Sequence, residues 1–104
     1  MRPRSPEEML EAVLAATGDG RPVVLTAHPC PDCAVLERLI ELNGLGDCPL
    51  VVDVPPEDWA IDLVLDTLNA PGAPAVIDPE GRVHGGDPYR LLELLEMLCR
   101  AAGP

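Results

Sequence analysis

The sequence predicts an α/β fold: a four-stranded mixed sheet with helices on both faces, in the order αβαβαββα. Short aliphatic, β-branched runs alternate with amphipathic segments, and strands separated by helices require parallel crossovers. The last two strands are separated only by a turn, which adds an antiparallel hairpin. The length of 104 residues fits one compact core, so we expect a single domain over residues 1–104.

The first half of the chain supplies two helix–strand units. A helix is predicted over Ser5–Ala16, because Ser5 can cap it and apolar residues form a stripe along it. The run Pro22–Ala27 is short and does not alternate, which is typical of a strand buried on both faces. A second helix through about Asn43 and a second buried strand over Pro49–Val54 follow.

The second half supplies a third helix and a terminal hairpin before the last helix. The third helix is predicted over Glu57–Asn69, and a short strand over Ala75–Asp78. Pro79-Glu80-Gly81 is a hairpin turn into Arg82–His84. The last helix shows apolar spacing i, i+3, i+4, i+7 at Leu91, Leu94, Leu95 and Leu98.

Charge and composition exclude several function classes. The chain carries 18 acidic and 7 basic residues, a formal net charge of −11. Such a field repels phosphate backbones and anionic lipid, so we expect no nucleic-acid and no membrane partner. One Trp, one Tyr and no Phe leave no stacking platform for single-stranded nucleic acid. The acidity serves solubility or selects a basic protein partner.

The amino-terminal segment indicates the compartment. Met1–Glu8 has no apolar core of a signal peptide, and no later run reaches the length of a membrane span, so we expect a cytoplasmic protein. In a reducing compartment, a close cysteine pair indicates redox catalysis or metal binding rather than a permanent disulfide. Cys99 is then expected as a buried structural thiol and Cys48 as an exposed loop thiol.

The tetrad Cys30-Pro31-Asp32-Cys33 lies where a buried strand ends and a helix begins. At this position the sulfur of Cys30 can accept amide hydrogen bonds and interact with the positive end of the helix dipole, and both effects favour the nucleophilic thiolate. Cys33, one turn later, is placed to attack a mixed disulfide formed at Cys30. The predicted catalytic residues are therefore Cys30 as nucleophile and Cys33 as resolving thiol. The Asp32 carboxylate disfavours the Cys30 thiolate, whereas a protonated His28 favours it. The sequence leaves the net effect of these two neighbours open.

A metal site is the alternative for the same pair. Zinc needs four ligands, and the sequence has no second C-x-x-C and no His pair. Cys48, Cys99, His28 and His84 could complete a site only if the fold brought them together. We predict no metal ligand and no cofactor, with a metal or iron–sulfur binding module as the alternative function.

From about Pro22 to Leu98 the chain resembles the thioredoxin superfamily, and its glutaredoxin branch in particular. Three features carry the resemblance in the same order: the strand–Cys-Pro-x-Cys–helix unit, the segment Gly72-Ala73-Pro74-Ala75-Val76-Ile77, and Gly85-Gly86-Asp87 before the last helix. The resemblance implies a thioredoxin-like fold and a thiol–disulfide oxidoreductase. Its partners would be a disulfide-containing protein or a small thiol such as glutathione, together with an electron-donating reductase. We expect a monomer.

The resemblance also implies substrate-binding residues. A cis bond between Ala73 and Pro74 would expose the Ala73 backbone beside Cys30, where a substrate strand could pair. The corner Gly85-Gly86-Asp87 would hold the glutathione γ-glutamyl carboxylate, and Asp87 would cap the helix with Pro88 behind it; both roles can hold together. The predicted substrate-binding residues are Pro31, Asp32, Ala73, Pro74, Gly85, Gly86 and Asp87.

Other positions depart from both branches. Ala27 stands where glutaredoxins commonly carry Lys, Pro29 where most thioredoxins carry Trp, and apolar residues replace the buried Asp of the first thioredoxin strand. The tetrad itself is similar to that of a thioredoxin-related group of cytosolic disulfide reductases. The branch therefore stays open, and a redox-silent thioredoxin-like interaction domain is a further alternative.

Overall fold

The computed structural model describes residues 1–102 and confirms the predicted class, element order and mixed sheet. The helices and strands are α1 (Pro6–Gly18), β1 (Val23–Thr26), α2 (Pro31–Leu42), β2 (Leu50–Asp53), α3 (Asp58–Asp62), β3 (Ala75–Ile77), β4 (Val83–Gly85) and α4 (Pro88–Ala102). The strand order is β2-β1-β3-β4, with β1 and β2 parallel and β3 antiparallel to both of its neighbours.

Strand β1 is buried on both faces, as predicted. Val23 and Leu25 pack into a core cluster with α1 and the segment after α3, whereas Val24 packs into a second cluster with α2 and α4. All four residues of β1 are inaccessible to solvent. Because helices pack on both faces of β1, the position of its carboxyl end is fixed, and the Cys30 segment follows from there.

Strand β2 is less buried than predicted, because it forms one edge of the sheet. Only Val52 is fully buried in this strand. The amino-terminal residue covers part of the open edge: the Met1 amino group donates to the Val51 carbonyl (2.6 Å), and the Asp53 amide donates to the Met1 carbonyl (2.8 Å). Pairing of this kind shields an edge strand from other chains.

The third helix also differs from its prediction over Glu57–Asn69. The α-helix ends at Asp62 and continues as a π-helical turn over Leu63–Thr67, in which the Leu68 amide donates to the Leu63 carbonyl (2.9 Å). Asn69, in the left-handed region with φ 57°, ends the turn. The wider turn is a tertiary adjustment that the apolar periodicity does not indicate.

The expectation that Cys48 and Cys99 are separate thiols is wrong. The structure joins them in a disulfide across 51 residues. The fold brings the loop between α2 and β2 against the last turns of α4, and this contact between distant segments leaves no mark in the local sequence pattern.

Candidate redox site

Cys30 is the N-cap of α2. Its backbone is extended (φ −155°, ψ 96°), Pro31 begins the helix, and the Cys33 amide donates to the Cys30 Sγ over 3.1 Å. The two cysteines form a disulfide with their Cα atoms 5.2 Å apart. The helix start therefore holds the two sulfurs together and points an amide donor at one of them.

The two sulfurs differ in access. Cys33 is only 2 % exposed and packs beneath the helix start, whereas Cys30 is half-buried and its neighbours Pro31 and Asp32 are exposed. Cys30 is therefore the more accessible cysteine of the pair.

The loop before β3 lies beside Cys30. The peptide bond between Ala73 and Pro74 is cis, and the Ala73 carbonyl oxygen is 3.8 Å from the Cys30 Sγ. Ala73 is exposed and Pro74 is buried. A cavity of about 420 Å³ opens here, lined by Ala27, Pro29, Cys30, Pro31, Asp32 and Ala73. The structure thus brings the tetrad and Ala73, predicted from distant parts of the sequence, to one place.

The Gly85–Asp87 corner does not line this cavity. Asp87 Oδ1 accepts hydrogen bonds from the amides of Tyr89 and Arg90, both at 3.0 Å, so the carboxylate caps α4. A Cβ atom on Gly85 would lie 3.0 Å from the Pro71 ring. Gly85 therefore lets Pro71 approach closely at the start of the loop that carries Ala73.

An apolar groove adjoins the cavity on the α3 side. It encloses about 150 Å³ and is lined by Leu25, Ala27, Val54, Ile61, Val64, Leu65, Gly72 and Ala73. Ile61 and Leu65, one turn apart, are 45 % and 49 % exposed. The groove shares Ala27 and Ala73 with the cavity, so apolar surface continues from Cys30 to α3. This groove was not predicted, although the i, i+4 spacing of the apolar residues Ile61 and Leu65 is a signal for it.

A polar contact lies at the carboxyl ends of β1 and β2. The His28 Nε2 is 3.6 Å from the Asp53 Oδ1, and the Thr26 hydroxyl is 3.5 Å from the same oxygen. His28 is 74 % exposed at its side chain, so solvent screens this pair. The peptide bond between His28 and Pro29 is also cis, which no local sequence pattern indicates.

A scan against protein-family models and a search of curated proteins found no match. Among solved structures, thioredoxin O2 from Arabidopsis thaliana in the oxidised state matches with a TM-score of 0.67 and 22 % identity, over 94 % of this chain and 92 % of that one. Oxidised glutaredoxin 2 from Chlamydomonas reinhardtii matches with a TM-score of 0.64 and 21 % identity, over 96 % and 98 %. This chain has a thioredoxin-like fold.

The thioredoxin-like fold confirms what the resemblance implied for architecture. One match is a thioredoxin and the other a glutaredoxin, and their TM-scores are close. The fold therefore does not assign this chain to one branch.

Within the described part of this thioredoxin-like fold, no three His, Cys, Asp or Glu side chains gather as a metal site would require. Cys48 and Cys99 are bonded to each other, and His84 contacts Asp78 at 2.9 Å. Three of the four side chains that could have completed a zinc site are thus engaged elsewhere, and the fourth, His28, lies 3.6 Å from the Asp53 carboxylate. None of the helices in residues 1–102 is both long and apolar enough to cross a membrane.

Proposed function

We propose that this protein is a thiol–disulfide oxidoreductase that reduces disulfides through Cys30 and Cys33. One observation carries the proposal: a half-buried Cys30 that lines a cavity at a helix N-terminus and is bonded to a buried Cys33. The thioredoxin-like fold around this pair supports it, because both solved neighbours are named as redox proteins in their oxidised states.

The reaction begins with the reduced pair. The Cys30 thiolate, stabilised by the Cys33 amide and the α2 dipole, attacks one substrate sulfur, and the other substrate sulfur leaves and takes up a proton. The Cys33 thiol then loses its proton and attacks the Cys30 Sγ. The Cys30–Cys33 disulfide closes, and the second substrate sulfur leaves as a thiol. Two electrons and two protons pass to the substrate, and an electron-donating reductase restores the dithiol.

The surface beside Cys30 favours a protein disulfide as substrate. An extended peptide could pair with the exposed backbone of Ala73 and place an apolar side chain in the adjoining groove. Backbone pairing supplies affinity and the groove supplies selectivity, so substrates with an apolar residue next to the cysteine are preferred.

Glutathione is a weaker candidate on this surface. The molecule is anionic, and the chain carries a net charge of −11 with Ala27 in place of a lysine. The Asp87 carboxylate already accepts two amide hydrogen bonds at the α4 N-terminus, where the glutathione carboxylate was expected. We therefore expect glutathione-dependent turnover to be slow.

Trapping of a mixed disulfide tests the proposal. The Cys33→Ser variant should form a stable mixed disulfide with a peptide whose cysteine is activated as a disulfide with thionitrobenzoate. The thionitrobenzoate leaves as a weakly nucleophilic thiolate, and no resolving thiol remains to attack Cys30. The matched Cys30→Ser variant should trap little, since Cys33 is buried. Equal trapping by both variants, or trapping by neither, would contradict the proposal.

A further inference from the structure

The second disulfide lies at the opposite end of the sheet from the first. Cys48 precedes β2, whereas Cys30 follows β1, and these two strands are parallel. A four-residue strand spans about 13 Å, and exchange between disulfides requires sulfur contact. The two pairs therefore cannot exchange within one molecule.

The backbone of Cys48 is held by contacts that do not involve its sulfur. Arg21, in the loop between α1 and β1, donates from Nε to the Cys48 carbonyl (3.0 Å) and from its terminal nitrogen to the Pro49 carbonyl (3.4 Å). The Cys48 amide donates to the Leu45 carbonyl (3.0 Å). The backbone amide and the backbone carbonyl of Cys48 are thus both hydrogen-bonded.

Cys99 lies in α4, and the packing of this helix fixes its position. Leu91, Leu92 and Leu95 of this helix are buried in the core cluster that contains α2 and one face of the sheet, and Leu98 packs against it. The Cα atoms of Cys48 and Cys99 are 5.9 Å apart, in the ordinary range for a disulfide. Contacts that do not involve the sulfurs thus fix the backbone at both cysteines.

We propose that Cys48–Cys99 is a stabilising disulfide that Arg21 pre-positions, and that it stays closed while Cys30–Cys33 is reduced. Closing a bond between two held thiols orders little additional chain, so the equilibrium favours the disulfide. A dithiol such as dithiothreitol opens it in two steps: one thiolate forms a mixed disulfide, and the second closes the reagent's own ring. Two cysteine thiols result. Mild reduction thus delivers two electrons to each chain, and only strong reduction delivers four.

Graded dithiothreitol redox buffers test this on the whole chain, followed by alkylation and mass spectrometry of each cysteine. Cys30 and Cys33 should become alkylated under milder reduction than Cys48 and Cys99. Arg21→Ala should shift the Cys48–Cys99 equilibrium about tenfold toward the dithiol, about 30 mV, and leave Cys30–Cys33 unchanged. Arg21→Lys, which lacks the planar fork, should give a smaller shift.

Arg38→Ala is the matched control, because Arg38 pairs with Glu41 on the exposed surface of α2, and neither disulfide should respond to its loss. The proposal is overturned if Cys48–Cys99 opens together with or before Cys30–Cys33. It is equally overturned if Arg21→Ala leaves the Cys48–Cys99 equilibrium unchanged. This readout needs no substrate, so it stands apart from a failure of the proposed function.

Thermal unfolding supplies a second measurement. The double variant Cys48→Ser/Cys99→Ser should lower Tm by about 10 °C or more, because the bond closes a long loop. The double variant Cys30→Ser/Cys33→Ser removes a bond between residues three apart and should lower Tm less. A Tm that does not respond to loss of the Cys48–Cys99 bond rejects the stabilising role.

Discussion

The Cys33 amide donates a hydrogen bond to the Cys30 Sγ over 3.1 Å, so the backbone of the buried cysteine contacts the sulfur of the more exposed one. Because this amide belongs to the first turn of α2, the bond adds to the helix dipole at the same sulfur. Both effects are built into the backbone and are present before a substrate arrives. Removing the Cys33 side chain leaves the amide in place, which is why Cys33→Ser is a suitable trapping variant.

Asp32 should tune the redox couple. Its carboxylate is exposed beside Cys30 and repels the thiolate, so Asp32→Asn should stabilise the reduced form and make the couple more oxidising. Solvent screens an exposed charge, so we expect a change of about two- to threefold in the equilibrium constant with a dithiol buffer, smaller at high salt. Asp47→Asn, beside the other disulfide, is the control and should leave Cys30–Cys33 unchanged. An unchanged Cys30–Cys33 redox equilibrium in Asp32→Asn would show that the Asp32 charge does not act on the Cys30 thiolate.

Leu65 should affect protein substrates more than small ones. Leu65→Gln removes an apolar wall of the groove, and the loss of about 1 kcal/mol of burial should raise KM for a protein disulfide about fivefold. Turnover of a small aromatic disulfide, which needs only Cys30, should not change. Leu14→Gln on α1 is a matched control because Leu14 is also exposed and lies outside the groove. Equal effects on both substrates would show that the groove does not bind protein.

Gly85 should act through the loop that carries Ala73. In Gly85→Ala the new methyl group would meet the Pro71 ring at 3.0 Å and displace the loop by a few tenths of an ångström. We expect a loss of about 1 kcal/mol in the free energy of unfolding and a several-fold fall in protein disulfide turnover. Gly46→Ala, where a Cβ atom meets nothing within 4 Å, should change neither quantity. Unchanged turnover in Gly85→Ala would show that the contact between Gly85 and Pro71 does not control the position of Ala73.

Asp78 should make stability depend on acid. Burial raises the pKa of this carboxyl, but hydrogen bonds from His84 and from the amides of Arg82 and Glu80 outweigh it, and the pKa lies below its ordinary value of 3.8. The unfolded chain therefore binds the proton more readily. The stability that Asp78 supplies is complete above pH 3.8 and is lost as the pH falls through the folded-state pKa.

Urea unfolding of the wild type and Asp78→Asn measures this contribution. At neutral pH the variant should be less stable by about 2 kcal/mol, since it loses charge-assisted hydrogen bonds at the β3–β4 turn. The difference should shrink as the pH falls below 3.8. Asp66→Asn on the exposed surface should behave like the wild type. A difference that grows in acid would contradict the direction of the pKa shift.

Local patterns were enough to predict the mixed sheet, the order of the elements and the tetrad. The unalternated run at β1 indicated burial on both faces because a central strand needs apolar residues on each side. The position of Cys30 at the start of α2 followed from the change of periodicity after Thr26. These features depend on residues that are close in the chain, and a single sequence contains that information.

Features that depend on distant contacts could not be predicted in the same way. The Cys48–Cys99 bond requires α4 to reach the loop before β2, and the partial exposure of β2 follows from its place at the sheet edge. The apolar groove combines residues from β1, the α3 region and the Ala73 loop. Each arises from the packing of whole elements, which a single sequence does not encode as a local pattern.

The alkylation rate of reduced Cys30 tests the central claim most directly. We predict that iodoacetamide at about pH 6 modifies Cys30 at least about tenfold faster than free cysteine, because the helix start stabilises the thiolate, while buried Cys33 reacts slowly. Mass spectrometry of the alkylated peptides distinguishes the two residues. A Cys30 that reacts no faster than free cysteine, or a Cys33 that reacts first, would contradict the account.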